Sequence, residues 1–246
     1  MRILLLDIET SPLVCFAWGL WDQNIAINQI VEDGRTLCWA AKWLKEREVM
    51  FDSEHESTPK TMFRRIHKLI QEADAVVHYN GTKFDMPHLN TGFLEYDYVP
   101  PSHYANIDLL QTARRKFNFA SNKLDYVAQK LGLGSKLKHK GMDLWRGCMA
   151  GNESDWRIMK RYNIQDVRLL EKVYLKLLPW IQNHPNLGVV INAGKKTCGS
   201  CGSENVKKDG IQYNKTLSYQ RWRCKDCGKP QRERRRLAPA ADGVLV

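Results

Sequence analysis

Asp7 and Glu9 in LLLDIETSP, Asp85 in HYNGTKFDMP and Asp166 in YNIQDV are carboxylates set where apolar elements would otherwise continue, and Tyr162 stands four residues before the last of them. A carboxylate buried without a partner is costly. Four that converge repel one another and raise their own pKa values. Divalent cations remove that conflict, and Mg²⁺ or Mn²⁺ suits a shell made only of oxygen. Two such ions about 3.5–4 Å apart clamp the attacking and leaving oxygens of a phosphodiester displacement.

The elements that must position these acids follow from their surroundings. Ile3–Leu6 is an unbroken apolar run, the pattern of a central strand buried on both faces. Side chains alternate along a strand, so Asp7 and Glu9 point to one side at its C-terminal end. Asp85 follows a second run, Ala75 to Tyr79, and the turn Asn80-Gly81, with Pro87 suited to the first turn of a new helix. From Asp155 to Leu178 the spacing is helical: Met159, Tyr162, Asp166, Leu170, Val173 and Leu177 share one face. Reactive groups of an open α/β sheet gather at the carboxyl ends of its strands, where Asp7, Glu9 and Asp85 can meet and the helical Asp166 can pack across them. Taken singly, each motif keeps an ordinary reading: Asp85 as a helix N-cap, Tyr162 and Asp166 as a hydrogen-bonded helical pair.

These residues resemble the DEDD 3'-5' exonucleases of the ribonuclease H-like fold. DIET is similar to their first motif, NGTKFD to the second, and Tyr162-Asn163-Ile164-Gln165-Asp166 to the tyrosine version of the third, spaced about eighty residues apart. The resemblance runs over Met1 to Pro185, takes in Asn122-Lys123-Leu124-Asp125, Val127-Ala128 and Leu131-Gly132, and points to proofreading-type enzymes related to family B polymerases. It implies that Asp7, Glu9 and Asp166 ligate one ion, with Asp7 shared by a second ion that Asp85 holds mainly through water. It further implies that Tyr162 orients the attacking water, and that the backbone near Ile8 and Thr10, with Asn80 and Phe84, cradles the 3'-terminal nucleotide.

A second signal lies in Cys198-Gly-Ser-Cys201 and Cys224-Lys-Asp-Cys227, two knuckles 22 residues apart. Four thiolates at this spacing form a closed, structural Zn²⁺ site; a redox CxxC pair is the lesser reading. Thr216 to Arg223 reads as a strand with Tyr219, Arg221 and Arg223 on one face and Trp222 on the other. The segment is similar to the zinc ribbons of transposases and other nucleic-acid enzymes. Residues 195–236 hold 13 Lys/Arg and 4 Asp/Glu, so this segment carries +9 of the formal +11. Bound zinc with its four thiolates lowers that by about 2. A surface so basic suits a phosphate backbone, with Arg221, Trp222 and Arg223 as candidate contacts. Arg114-Arg115-Lys116 and the loop of Lys136, Lys138, His139 and Lys140 are further basic clusters, equally readable as solvated faces.

The expected architecture is α/β: a ribonuclease H-like mixed sheet flanked by helices over 1–188, a linker and four-cysteine zinc ribbon over 189–236, and a flexible tail over 237–246. Helix Pro59–Glu72, capped by Ser57 or Thr58, and strands at Leu37–Ala41 and Val49–Phe51 complete it. Cys15, Cys38 and Cys148 offer no disulfide framework, and no apolar stretch reaches about 18 residues. A soluble cytoplasmic protein of a bacterial or virus-infected cell is expected, without membrane contact. The activity expected is removal of 5'-mononucleotides from the 3' ends of single-stranded DNA with two Mg²⁺ or Mn²⁺ ions, the ribbon with one Zn²⁺ tethering nucleic acid or a replication or repair partner. The alternatives are a 3'-5' exoribonuclease and a catalytically inert nucleic-acid-binding protein.

Overall fold

The computed structural model describes residues 1–191 and 194–237. In chain order the first strands are β1 (Ile3–Thr10), β2 (Val14–Cys15), β3 (Ile30–Glu32), β4 (Thr36–Trp43) and β5 (Met50–Ser53); then come helix α1 (Pro59–Gln71), β6 (Ala75–His78), α2 (Asp85–Glu95) and β7 (Ala105–Asp108). Helices α3 (Leu109–Lys116), α4 (Leu124–Lys130), α5 (Met142–Met149) and α6 (Glu153–Leu177) follow. Residues 2–173 form one compact unit and a second begins at Tyr174.

The sheet of the first unit runs β5-β4-β1-β6-β7. β4 and β5 are antiparallel additions on one side of β1, while β6 and β7 are parallel additions on the other. This is the expected mixed α/β sheet, and both of its faces are covered. Leu4, Leu6 and Ile8 of β1 join Trp39 and Ala41 of β4 in a core with Met62, Ile66 and Ile70 of α1 and Leu89 and Phe93 of α2. On the opposite face, Leu37 and Cys38 pack against Leu144 of α5 and Trp156, Met159 and Tyr162 of α6. Strand alternation therefore turns Asp7 and Glu9 toward α6. Thr58 caps α1 through the Thr61 N–H at 3.3 Å, with Pro59 in the first turn. At Gly92 an added Cβ would lie 2.2 Å from the Phe63 ring, so a bare backbone is what lets α2 approach α1 this closely.

β7 and the short β2–β3 arm are absent from the sequence reading. The arm leaves Phe16, Trp18, Leu20 and Trp21 exposed.

The second unit holds α7 (Leu187–Ile191) and an antiparallel sheet of β8 (Val206–Tyr213), β9 (Ser218–Cys224) and β10 (Pro230–Arg232), in the order β10-β9-β8. The segment on either side of Gly188 is tied to the ribbon. Lys229 Nζ donates to the Ile181 carbonyl at 2.6 Å, and the Leu187 N–H donates to the Gly199 carbonyl at 2.7 Å. Of the expected tail, all but Leu237 lies outside the described residues, as do linker residues 192 and 193. No helix among the described residues is long and apolar enough to cross a membrane.

Candidate active site

Asp7 and Glu9 lie near the C-terminal end of β1, where the pairing with β4 shifts register between Glu9 and Thr10. Asp166 enters from the middle of α6. Each of these three carboxylates offers an oxygen within 4.8 Å of the other two. Asn163, fully buried one turn before Asp166, donates from Nδ2 to Asp7 Oδ2 at 2.7 Å and so fixes the Asp7 carboxylate.

Electrostatics set these groups apart from ordinary surface acids. Burial first, then the charges of Glu9, Asp166 and Asp85, push the Asp7 carboxyl well above its usual range. Burial likewise lifts Glu9 to about 8 against the opposing pull of Lys136, and raises Asp166 despite its pairing with Lys136. Asp166 Oδ1 is buried and has no hydrogen-bond partner among the described residues. Three crowded carboxylates with an orphaned oxygen fit a divalent cation bound through oxygen.

Asp85 stands beside this trio rather than within it. Phe84 holds the cap position of α2 and Asp85 begins the helix, so Asp85 is not the N-cap. Its Oδ1 accepts the Ile8 N–H at 3.1 Å. Burial drives its carboxyl to about 7, moderated by that hydrogen bond. The turn before it is held by His78 and Asp108, which no motif in the sequence marks. His78 is buried and held neutral by that burial; its Nδ1 accepts the Gly81 N–H at 2.9 Å, and its Nε2 meets Asn106. Asp108 caps α3 at Leu110 and also accepts the Asn80 N–H at 3.0 Å. Asn80 itself takes φ +73°, a left-handed conformation that asparagine tolerates better than most residues.

Of the expected cradle, two backbone groups already have partners: the Ile8 N–H binds Asp85, and the Thr10 carbonyl accepts Trp145 Nε1 at 3.0 Å. Asn80 lines a cleft of about 590 Å³ together with Asp7, Arg114, Lys123 and Lys136. Phe84 keeps a partly exposed ring against His88. The cleft is thus acidic at one wall and cationic along others.

Lys136 is the site residue whose role was not visible in the sequence. Its Nζ donates to Asp166 Oδ2 at 2.6 Å and to the Tyr162 hydroxyl at 3.1 Å. Burial alone would lower its pKa, but the carboxylates of Asp166 and Asp7 overcome this and hold the ammonium charged. His139 meets the Tyr162 ring edgewise at 4.8 Å, and Trp145 packs on His139 at 5.2 Å. The Gly-bounded basic loop is therefore part of the site wall. Lys140 pairs instead with Asp155 at 2.8 Å.

In the second unit, the thiols of Cys198, Cys201, Cys224 and Cys227 lie within 4.8 Å of one another, and the pairs Cys198–Cys227 and Cys201–Cys224 are 3.6 Å apart. A tetrahedron with Zn–S bonds of about 2.3 Å has sulfur–sulfur edges near 3.8 Å, whereas a disulfide requires about 2.05 Å. The cluster is consistent with a zinc ribbon. Arg221 and Arg223 are exposed on one face of β9, and Trp222 lies on the other.

A family model for the RNase_H superfamily matches residues 4–178. Among solved structures, the family B DNA polymerase from the hyperthermophilic archaeon Pyrobaculum calidifontis aligns with a TM-score of 0.53 at 21% identity, covering 72% of this chain and 24% of the polymerase. At that identity the likeness concerns the fold, and the chain spans about a quarter of the polymerase's length. No curated protein matches the chain. Since the matched stretch runs from β1 through the whole of α6 and carries every acid of the cluster, the chain belongs to the RNase_H superfamily.

Proposed function

We propose that this protein is a metal-dependent 3'-5' exonuclease that releases 5'-mononucleotides from single-stranded DNA. One observation carries the reading: oxygens of Asp7, Glu9 and Asp166 lie within 4.8 Å of one another, with Tyr162 one helical turn before Asp166. Membership of the superfamily supports a nuclease, and a fold shared with a DNA polymerase favours DNA.

Mg²⁺ or Mn²⁺ held by Asp7, Glu9 and Asp166, with Asp85 contributing at longer range, would supply an activated water and charge neutralisation at the leaving oxygen. The remaining duties fall to side chains. Lys136 donates to the Tyr162 oxygen and the Tyr162 hydroxyl bonds the Asp166 carboxylate, which together hold the phenol beside the acid cluster, where it can orient a water at the terminal phosphate. Asn163 prevents Asp7 from rotating out of the cluster. Asn80, Arg114 and Lys123 along the cleft receive the terminal nucleotides, and Phe84 offers a ring for stacking. The four cysteines hold a structural Zn²⁺.

A 5'-labelled single strand incubated with Mg²⁺ or Mn²⁺ tests the proposal. Wild type is expected to give a one-nucleotide ladder, Asp166→Ala no product with either metal, and Tyr162→Phe cleavage slower by about 10²–10⁴. An RNA of the same sequence should shorten more slowly; faster digestion of RNA would make the enzyme an exoribonuclease. A wild-type chain that shortens neither strand refutes the assignment.

A further inference from the structure

The ribbon's charge is arranged in a way that folding does not require. In the register of β8, β9 and β10, Arg221 stands directly opposite Arg232, and Arg223 directly opposite Lys207. Cross-strand partners project from the same face, and like charges placed opposite each other destabilise a sheet. All four cations are exposed. Asp209 is their acidic neighbour, paired with Arg223 Nη2 at 2.9 Å, while its carbonyl accepts Arg221 Nε. Tyr219 shares this face, and the Arg232 guanidinium lies 4.0 Å from its ring centroid.

The opposite face is already occupied. It carries buried Cys224 and Trp222, whose Nε1 donates to Glu233 at 2.9 Å and whose ring is covered by the Lys196 ammonium at 4.3 Å. Trp222 is therefore spent within the ribbon. The open face combines four cations, one acid and a guanidinium stacked on an aromatic ring.

We infer that the face formed by Lys207, Tyr219, Arg221, Arg223 and Arg232 binds the backbone of a single-stranded polynucleotide. Phosphates would relieve the two like-charge pairs. The Arg232–Tyr219 stack presents a flat cation to a base, which can reach it only when unpaired. The inference does not rest on the nuclease reading, because it concerns a separate unit and is measured by binding alone.

The test uses the full zinc-loaded chain carrying Asp166→Asn, so that the probe stays intact, and fluorescence anisotropy with a labelled single strand across a salt series. Arg221→Gln with Arg232→Gln is expected to weaken binding by about tenfold or more and to flatten the slope of log affinity against log salt by about 1.4, at roughly 0.7 per phosphate. Lys208→Gln with Lys215→Gln removes the same charge elsewhere on the ribbon and should change affinity by less than about twofold. Zinc content, measured on every variant, keeps ribbon loss from imitating either result. Equal weakening by the two pairs, no weakening by the first, or equal loss on a duplex of the same length overturns the inference.

Discussion

Replacing Glu9 with Gln interrogates the acid cluster without any substrate. Burial lifts this carboxyl from 4.5 to about 8 in the folded chain. Between those values the native state binds a proton that the unfolded state releases, so metal-free stability falls as pH rises through the window. The limiting slope is about 1.4 kcal/mol per pH unit, which over the whole window gives about 5 kcal/mol at pH 8. Glu9 as a whole residue is only partly buried, and solvent screening reduces the figure to about 2 kcal/mol. Gln keeps the shape and discards the charge. The variant should therefore match wild type below pH 4.5 and exceed it at pH 8 by about 4–8 °C in Tm, at roughly 2–4 °C per kcal/mol for a chain of this size. Relief of Asp7, whose pKa Glu9 also raises, acts in the same direction.

The assay is thermal unfolding from pH 4.5 to 8.5 with the ribbon zinc retained and no Mg²⁺ or Mn²⁺. A second series with Mn²⁺ should reverse the order at pH 8, because the wild-type site gains stability by mass action and the variant has lost a ligand. A Glu9→Gln chain that is less stable than wild type at pH 8, or an offset that ignores pH, would mean that the Glu9 carboxylate is already satisfied. The cluster would then have no need of a cation.

Asn163→Ala removes the donor that fixes Asp7 and leaves a buried carboxylate oxygen unmatched; a loss of about 1–3 kcal/mol should appear in urea unfolding, together with a higher metal concentration for half-maximal cleavage. Gly81→Ala would place a Cβ 2.3 Å from the His78 ring, and the forced shift should cost about 1–3 kcal/mol and slow cleavage by displacing the turn before Asp85, as read by denaturation and single-turnover kinetics. Cys224→Ser should lose one zinc equivalent by colorimetric titration and make residues after Tyr174 sensitive to protease, while the first unit keeps its own melting transition and trims short oligonucleotides.

Much of the first unit was legible because its central elements are buried on an apolar background. Ile3–Leu6 and Ala75–His78 read as buried strands, and the stripe from Met159 to Leu177 reads as one long helix. β7 escaped because half of Ala105–Asp108 is polar for reasons of its own: Asn106 serves His78, and Asp108 caps α3 while holding Asn80. Asn163 escaped for a related reason. A lone amide on a helical stripe looks like a tolerated polar position until its partner, Asp7, is seen across the chain.

The acids and Lys136 show where such reading has its limit. An acid that interrupts an apolar run declares itself, because a carboxylate has no apolar stem with which to disguise its burial. A lysine has such a stem, so its charge can lie in solvent or in a cleft with the same local sequence. The ribbon cysteines need only two short knuckles of one small sheet, and their spacing is enough to place them together. The acids come from β1, α2 and α6, and their meeting depends on β6 lying parallel beside β1 and on α6 crossing the sheet face to which Asp7 and Glu9 point. Alternation along β1 predicts which face that is. It cannot predict that a glycine-bounded loop thirty residues before Asp166, readable in sequence equally as a strand-gripping cluster or a solvated face, would bring an ammonium to the same carboxylate; only the folded chain decides between those two readings.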